Sequence, residues 1–167
     1  KELKANVIGE GANLGVTQAG RIEAGLSKVR LNSDAIDNSA GVDSSDHEVN
    51  IKILCTEAIR RGELPSGERN TLLASMTDDV AQHVLNHNYA QTGALSLAEE
   101  SAMRDHDALE RLMIRLERRG VLDRQVEGLP TTAQMAQFKR DNRALARPEI
   151  AVLMAWTKVV LFDGLVA

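Results

Sequence analysis

Two asparagines with chemistry to offer close two short segments of the chain. Asn13 ends Gly9-Glu10-Gly11-Ala12-Asn13, and Asn38 lies within Asp34-Ala35-Ile36-Asp37-Asn38-Ser39-Ala40-Gly41-Val42. An Asn side chain carries a donor pair and an acceptor in one planar group, which suits a ligand bearing a carboxamide and sugar hydroxyls. Glycine at Gly9 and Gly11 permits close backbone approach and unusual dihedrals. Both asparagines equally suit a plain turn, since Asn tolerates left-handed backbone, and spacing alone leaves the two readings open. Ser45 also has two readings. With Glu48 it has the form of a capping box, and the N–H groups of a helix N-terminus suit an anion.

The elements that would position these groups follow from the apolar pattern. Ala5 to Ile8 reads as one short strand, and Ala35 with Ile36 as a second. Between them Thr17 to Val29 reads as a helix, with Thr17 at its N-cap and Ile22, Leu26 and Val29 at helical spacing. Strand, helix, strand at this spacing is a βαβ unit, and parallel sheets bind ligands beyond the carboxyl ends of their strands. A helix from Ser45 to about Arg61 is stopped by Gly62 and Pro65. Beyond it the chain reads as helices with brief punctuation. One begins near Ser66 and breaks at Met76-Thr77, and a short one starts at Ser96. A third is capped by Asp105 and carries Leu109, Leu112, Met113 and Leu116 before Gly120. Thr131 to Gln134 opens a fourth, and Pro148 sits in the first turn of a nearly apolar last helix. The fold expected is mainly α: a truncated Rossmann-like βαβ remnant of two parallel strands, followed by a helical domain. The division falls between residues 1–52, the end of the nucleotide-binding domain, and residues 53–167.

These segments resemble the glutamate dehydrogenases, whose nucleotide domain carries a Glu-Gly-Ala-Asn turn and, after the next strand, Asn-x-Gly-Gly-Val-x-x-Ser. Both patterns occur here in order, with Ala40 in place of the first Gly of the pair. Met76-Thr77-Asp78-Asp79-Val80-Ala81, Asn88-Tyr89-Ala90-Gln91-Thr92 and Arg147-Pro148-Glu149-Ile150-Ala151-Val152-Leu153 narrow the resemblance to the very large NAD-specific bacterial enzymes, over nearly the whole chain. The resemblance implies NAD as cofactor and L-glutamate and 2-oxoglutarate as substrates, in a homo-oligomeric parent. It implies that Asn13 and Asn38 lie near the nicotinamide and its ribose, with Gly11 and Ala12 supplying close backbone. It further implies that Ser45 binds the side-chain carboxylate of glutamate in a pocket shaped by Val42. The family's catalytic Lys and Asp come from a separate substrate domain with no matching segment here, and a Gly-x-Gly-x-x-Gly turn is absent. The chain is therefore expected to be a fragment, inactive alone, with no catalytic residue of its own. The alternative is a helical interaction or regulatory module mediating subunit or domain contacts.

Composition bounds the remaining possibilities. A net charge of −4 with both signs interspersed gives no basic stripe, and the four aromatic residues, Tyr89, Trp156, Phe138 and Phe162, are scattered, so nucleic acid is not an expected partner. No apolar run approaches the roughly 20 residues that span a bilayer and no signal peptide opens the chain, so no membrane partner and a cytoplasmic location are expected. Cys55 is the single cysteine and sits in an apolar helical run, which favours a core role over a reactive thiol. His83 and His87, one helical turn apart, read as a solvated or hydrogen-bonded face rather than a metal site, and His106 as part of a solvated helix start. The charged run Arg104 to Arg119, with Asp107 and Arg111 four apart, reads as a soluble helix face.

Overall fold

The computed structural model describes residues 4–167. Eight α-helices order these residues: α1 (Gln18–Leu26), α2 (Asp34–Asp37), α3 (Ser39–Arg61), α4 (Arg69–Ser75), α5 (Thr77–Ser101), α6 (His106–Arg118), α7 (Thr132–Arg140) and α8 (Arg147–Val166), with a 3₁₀ turn at Ser66–Glu68. They form two compact units. One comprises residues up to Asp37 together with Thr92–Ala167, and the other is Asn38–Gln91.

The expected βαβ remnant is not present: no strand or sheet is formed among the described residues. What remains of it is one isolated parallel bridge between Val7 and Arg30, in which Ile8 N–H donates to Arg30 O and Arg30 N–H to Asn6 O, each at 2.9 Å. Two hydrogen bonds do not make a ladder, and a lone strand pair is marginal in water. Ala35 and Ile36, expected as the second strand, lie in α2 instead. The Asp34 carboxylate accepts the N–H of Ala35 at 2.9 Å, and Ser33 O accepts those of Ile36 and Asp37. Such local bonds offer the backbone a turn in place of a ladder. Ile36 then points into the core as a helical residue.

In the first unit the core gathers Leu95, Met113, Leu116, Met135, Ile150 and Leu153 from four helices. α6 is amphipathic as expected, burying Met113 and Leu116 with Leu109 and Leu112 packed beside them, and Gly120 turns the chain at φ 69°. The Asp105 side chain makes no cap bond to α6. α7 opens with a capping box in which Thr131 accepts the Gln134 N–H and Gln134 accepts the Thr131 N–H. α8 divides along its length. Pro148, Glu149, Ile150, Ala151 and Leu153 are buried, whereas Val159, Leu161, Phe162, Leu165 and Val166 are exposed. α1 is capped by Thr17, which accepts the Gly20 N–H at 3.1 Å, and stops at Leu26 because Lys28 takes a left-handed conformation. α1 packs on α8, where a Cβ on Gly25 would meet Pro148 at 3.5 Å.

In the second unit α3 begins at Ser39, six residues before the expected start, and ends at Gly62 with φ 75°. The buried apolar residues of this unit are Cys55 on α3 and Val84 on α5. The expected break at Met76-Thr77 is present, although the Thr77 hydroxyl donates back to Ala74 O rather than capping α5. α5 runs on through Ser96 without a second start, and the Ser96 hydroxyl donates to Thr92 O.

Candidate cofactor-binding turn

Gly11, Ala12 and Asn13 occupy one exposed turn in the first unit. Its conformation is set from beneath by charges. Glu10 is buried and receives a forked ion pair from Arg21 on α1, with Arg21 Nε donating to Oε2 at 2.5 Å and Nη2 to Oε1 at 2.9 Å. The side chains are only 4% and 6% exposed, so each charge depends on the other for its solvation. The Glu10 carboxylate also accepts the Val16 N–H at 2.8 Å, closing the loop on itself. Two acids from the α2 segment complete the support. Asp37 Oδ2 accepts the Glu10 N–H at 2.9 Å, and Asp34 Oδ2 accepts the Leu14 N–H at 3.0 Å.

This network shifts its own members. The Arg21 hydrogen bond, outweighing burial, holds the Glu10 carboxyl below the usual carboxylate range, and the same bond raises Arg21. Burial pushes Asp34 upward, but the N–H donors of Leu14 and Ala35 and the charge of Arg21 together hold it low. Leu14 follows Asn13 with φ 63°, a left-handed conformation uncommon for a residue with a Cβ, and Asp34 holds its amide there. Above the network the turn is open: a Cβ on Gly9 or Gly11 would have no atom within 4 Å. A planar or phosphorylated ligand can lie directly on such backbone. A cavity of about 830 Å³ in the same unit is lined by Gly9, Asn32, Asp37 and Arg147 among others.

Asn38, Val42 and Ser45 belong to the second unit. Asn38 is the N-cap residue of α3, in right-handed conformation, and its side chain makes no cap bond. Its Oδ1 would lie 3.3 Å from a Cβ on Gly41, so that glycine leaves room for the amide. Ser45 does not cap α3. It stands a turn and a half inside the helix and its hydroxyl donates to Val42 O at 2.8 Å. Val42 and Ser45 are thus brought together on one helix and both are exposed. Asp43 beside them faces away toward imidazoles: His87 Nδ1 lies 2.8 Å from its Oδ2 and His47 Nδ1 3.3 Å from its Oδ1.

The other sites take definite places. Among the described residues no group of three or more His, Cys, Asp or Glu is placed to hold a metal ion. The ring of His47 lies 6.1 Å from that of His83 and 6.0 Å from that of His87. Cys55 is buried, as expected. His106, expected in solvent, is buried and makes no hydrogen bond through either ring nitrogen. Asp107 pairs with Lys139 of α7 at 2.7 Å rather than with Arg111. The sequence reading missed Glu10, Arg21, Asp34 and Asp37. Their signal was a Glu inside a Gly-rich turn and an Arg on the first turn of the next helix, charges with no reason to be buried until the two are paired.

Residues 1–98 match the sequence family described as bacterial NAD-glutamate dehydrogenase, catalytic domain, and the chain belongs to that family. Among curated relatives, the NAD-specific glutamate dehydrogenase of Halomonas elongata is 46% identical over 167 residues, 100% of this chain and 10% of the relative. Those of Pseudomonas aeruginosa and Mycobacterium tuberculosis are 47% and 44% identical, each over 99% of this chain and 10% of the relative. The chain therefore spans about a tenth of the length of the curated relatives it matches. No solved structure matches it.

Proposed function

We propose that this chain is the part of an NAD-dependent glutamate dehydrogenase that presents one wall of the nicotinamide site. The parent converts L-glutamate, NAD and water to 2-oxoglutarate, ammonia and NADH, and the chain by itself is inactive. The observation that carries the reading is the open Gly11-Ala12-Asn13 turn standing on a buried ionic support, in a chain of the glutamate dehydrogenase family. NAD, when bound, supplies the hydride acceptor. Toward it, Gly11 and Ala12 of the first unit offer backbone, with open space above Gly11, and Asn13 offers a carboxamide donor and acceptor; the family resemblance extends the same cofactor role to Asn38 of the second unit. Ser45 and Val42 form part of the surface that takes the side chain of glutamate. Within this reading residues 1–52 belong to the cofactor-binding domain and residues 53–167 to the helical domain of a cytoplasmic homo-oligomer. Among the described residues no helix is long and apolar enough to cross a membrane.

The test is glutamate-dependent NADH formation by the full-length protein and by this chain. Activity in the full-length protein alone is expected. Asn13→Ala and Asn38→Ala in the full-length protein are expected to depress kcat/KM with little change in thermal stability; a fall in stability with unchanged kinetics would make both asparagines turn formers only. A second reading, a helical module for subunit or domain contacts, is favoured by one observation: the exposed apolar end of α8, with Val159, Phe162 and Leu165.

A further inference from the structure

The Arg147-Pro148-Glu149 segment opens α8, beyond the residues that match the catalytic-domain family, yet a continuous line of hydrogen bonds runs from it to the cofactor-facing turn. Arg147 Nε donates to Asn32 Oδ1 at 2.6 Å. Asn32 Nδ2 donates to Asp37 Oδ1 at 2.7 Å. The other oxygen of Asp37 accepts the Glu10 N–H at 2.9 Å. The polarity of this relay is fixed. Arg147 only donates and Asp37 only accepts, so the Asn32 amide has one orientation that satisfies both neighbours.

Arg147 is itself held at the far side. Its Nη1 donates to Ser96 Oγ at 3.0 Å and to Glu99 Oε2 at 2.9 Å, and its Nη2 to Thr92 O at 3.3 Å. The guanidinium fork thus spans the end of α5 and the relay together, a geometry that a lysine ammonium does not reproduce. Its α8 scaffold is rigid at this end: Pro148 is fully buried and the Glu149 carboxylate accepts the Ala146 N–H at 2.6 Å. The three bonds of the relay are part-buried, and hydrogen bonds linked in a chain polarise and strengthen one another.

We propose that Arg147 is a positioning residue for the cofactor-binding turn, acting through Asn32 and Asp37 on the Glu10 amide, so that the helical region helps to set the affinity for NAD. The proposal rests on the reading that Gly11 to Asn13 faces the nicotinamide. It is tested in the full-length protein with Arg147→Lys, Asp37→Asn and the double variant. The lysine keeps the charge and the start of α8. Each single variant is expected to raise KM for NAD by about three- to thirtyfold, the range of a coupled network, with the double variant no worse than the poorer single. KM for glutamate and kcat at saturating NAD are expected to change by less than about twofold. Hydrogen exchange of the peptide spanning residues 9–16 is expected to quicken in Arg147→Lys, while that of α6 is unchanged. Normal KM for NAD with normal exchange at 9–16 would overturn the proposal, as would effects that multiply in the double variant. Equal loss of protection in α6 would reduce Arg147 to a general structural role and overturn it too. Should the unaltered full-length protein form no NADH from glutamate, the dehydrogenase reading fails. The relay is then decided separately by the exchange measurement and by calorimetric titration with NAD itself.

Discussion

Arg21 and Glu10 have surrendered their water largely to each other, and the forked pairing, aided by the Val16 N–H on Glu10 and by Asp34 beside Arg21, offsets that loss. Removing one member strands the other, so Arg21→Ala is expected to cost about 3–5 kcal/mol in urea unfolding, far more than loss of an exposed pair. Two carboxyls near this region respond to acid in opposite directions. Glu10 is held low, first by the Arg21 bond, so over the interval between its native and unfolded values the unfolded chain binds more protons. Its contribution is fully present above the unfolded value and is lost as pH falls through the native one. Glu149 is raised, because burial outweighs the Ala146 N–H and the charge of Arg143. Its ionised form costs stability at neutral pH, and that cost disappears as pH falls below its native value. Glu10→Gln is therefore expected to flatten the acid loss of stability. Glu149→Gln, which keeps an oxygen for the Ala146 N–H, is expected to stabilise at neutral pH and steepen that loss. Urea midpoints measured from neutral to acid pH check both signs.

Helix starts were legible where a side chain alone decides them, and illegible where a contact from elsewhere does. Thr17 and Thr131 cap α1 and α7 as their residue types dictate. Thr131→Ala is expected to lose about 1 kcal/mol, read as a shift in thermal midpoint. The amphipathic stripe of α6 and the break at Met76-Thr77 were likewise readable from spacing. The starts of α2 and α3 were not. Ala35 and Ile36 carry apolar character that fits a strand, and Ser45 with Glu48 matches a capping box by type. Yet Ser33 and Asp34 turn the backbone earlier, and once α3 begins at Ser39 the Ser45 hydroxyl is inside a helix, where Val42 O is its nearest acceptor. A local signature competes with the turn of helix already formed before it, and here the earlier turn wins. The candidate site shows the same division. Gly11 and Asn13 announce themselves by type, whereas Asp34 and Asp37 matter only because folding brings them under the turn.

At the scale of the whole molecule, the two units differ in how much apolar surface they bury. The first encloses a continuous core, while the second buries Cys55 and Val84 and leaves Ile53, Leu54, Leu85 and Tyr89 exposed. The far end of α8 is exposed too. If the helical region makes subunit contacts, Phe162→Ser with Leu165→Ser in the full-length protein lowers the assembly state in sedimentation without unfolding it; unchanged assembly removes that reading. Trp156 is a poorer probe, since its Nε1 donates to Glu127 at 3.1 Å within its own unit. What the sequence by itself determined is the family, the caps at Thr17 and Thr131 and the amphipathic stripe of α6, because each depends on residue types at short spacing. Tertiary structure alone decided the buried Arg21–Glu10 pair, the α2 acids beneath the turn and the reach of Arg147 across 115 positions to Asn32. Charges distant in sequence are individually indistinguishable from solvated ones, and only their burial in partnership gives them a role.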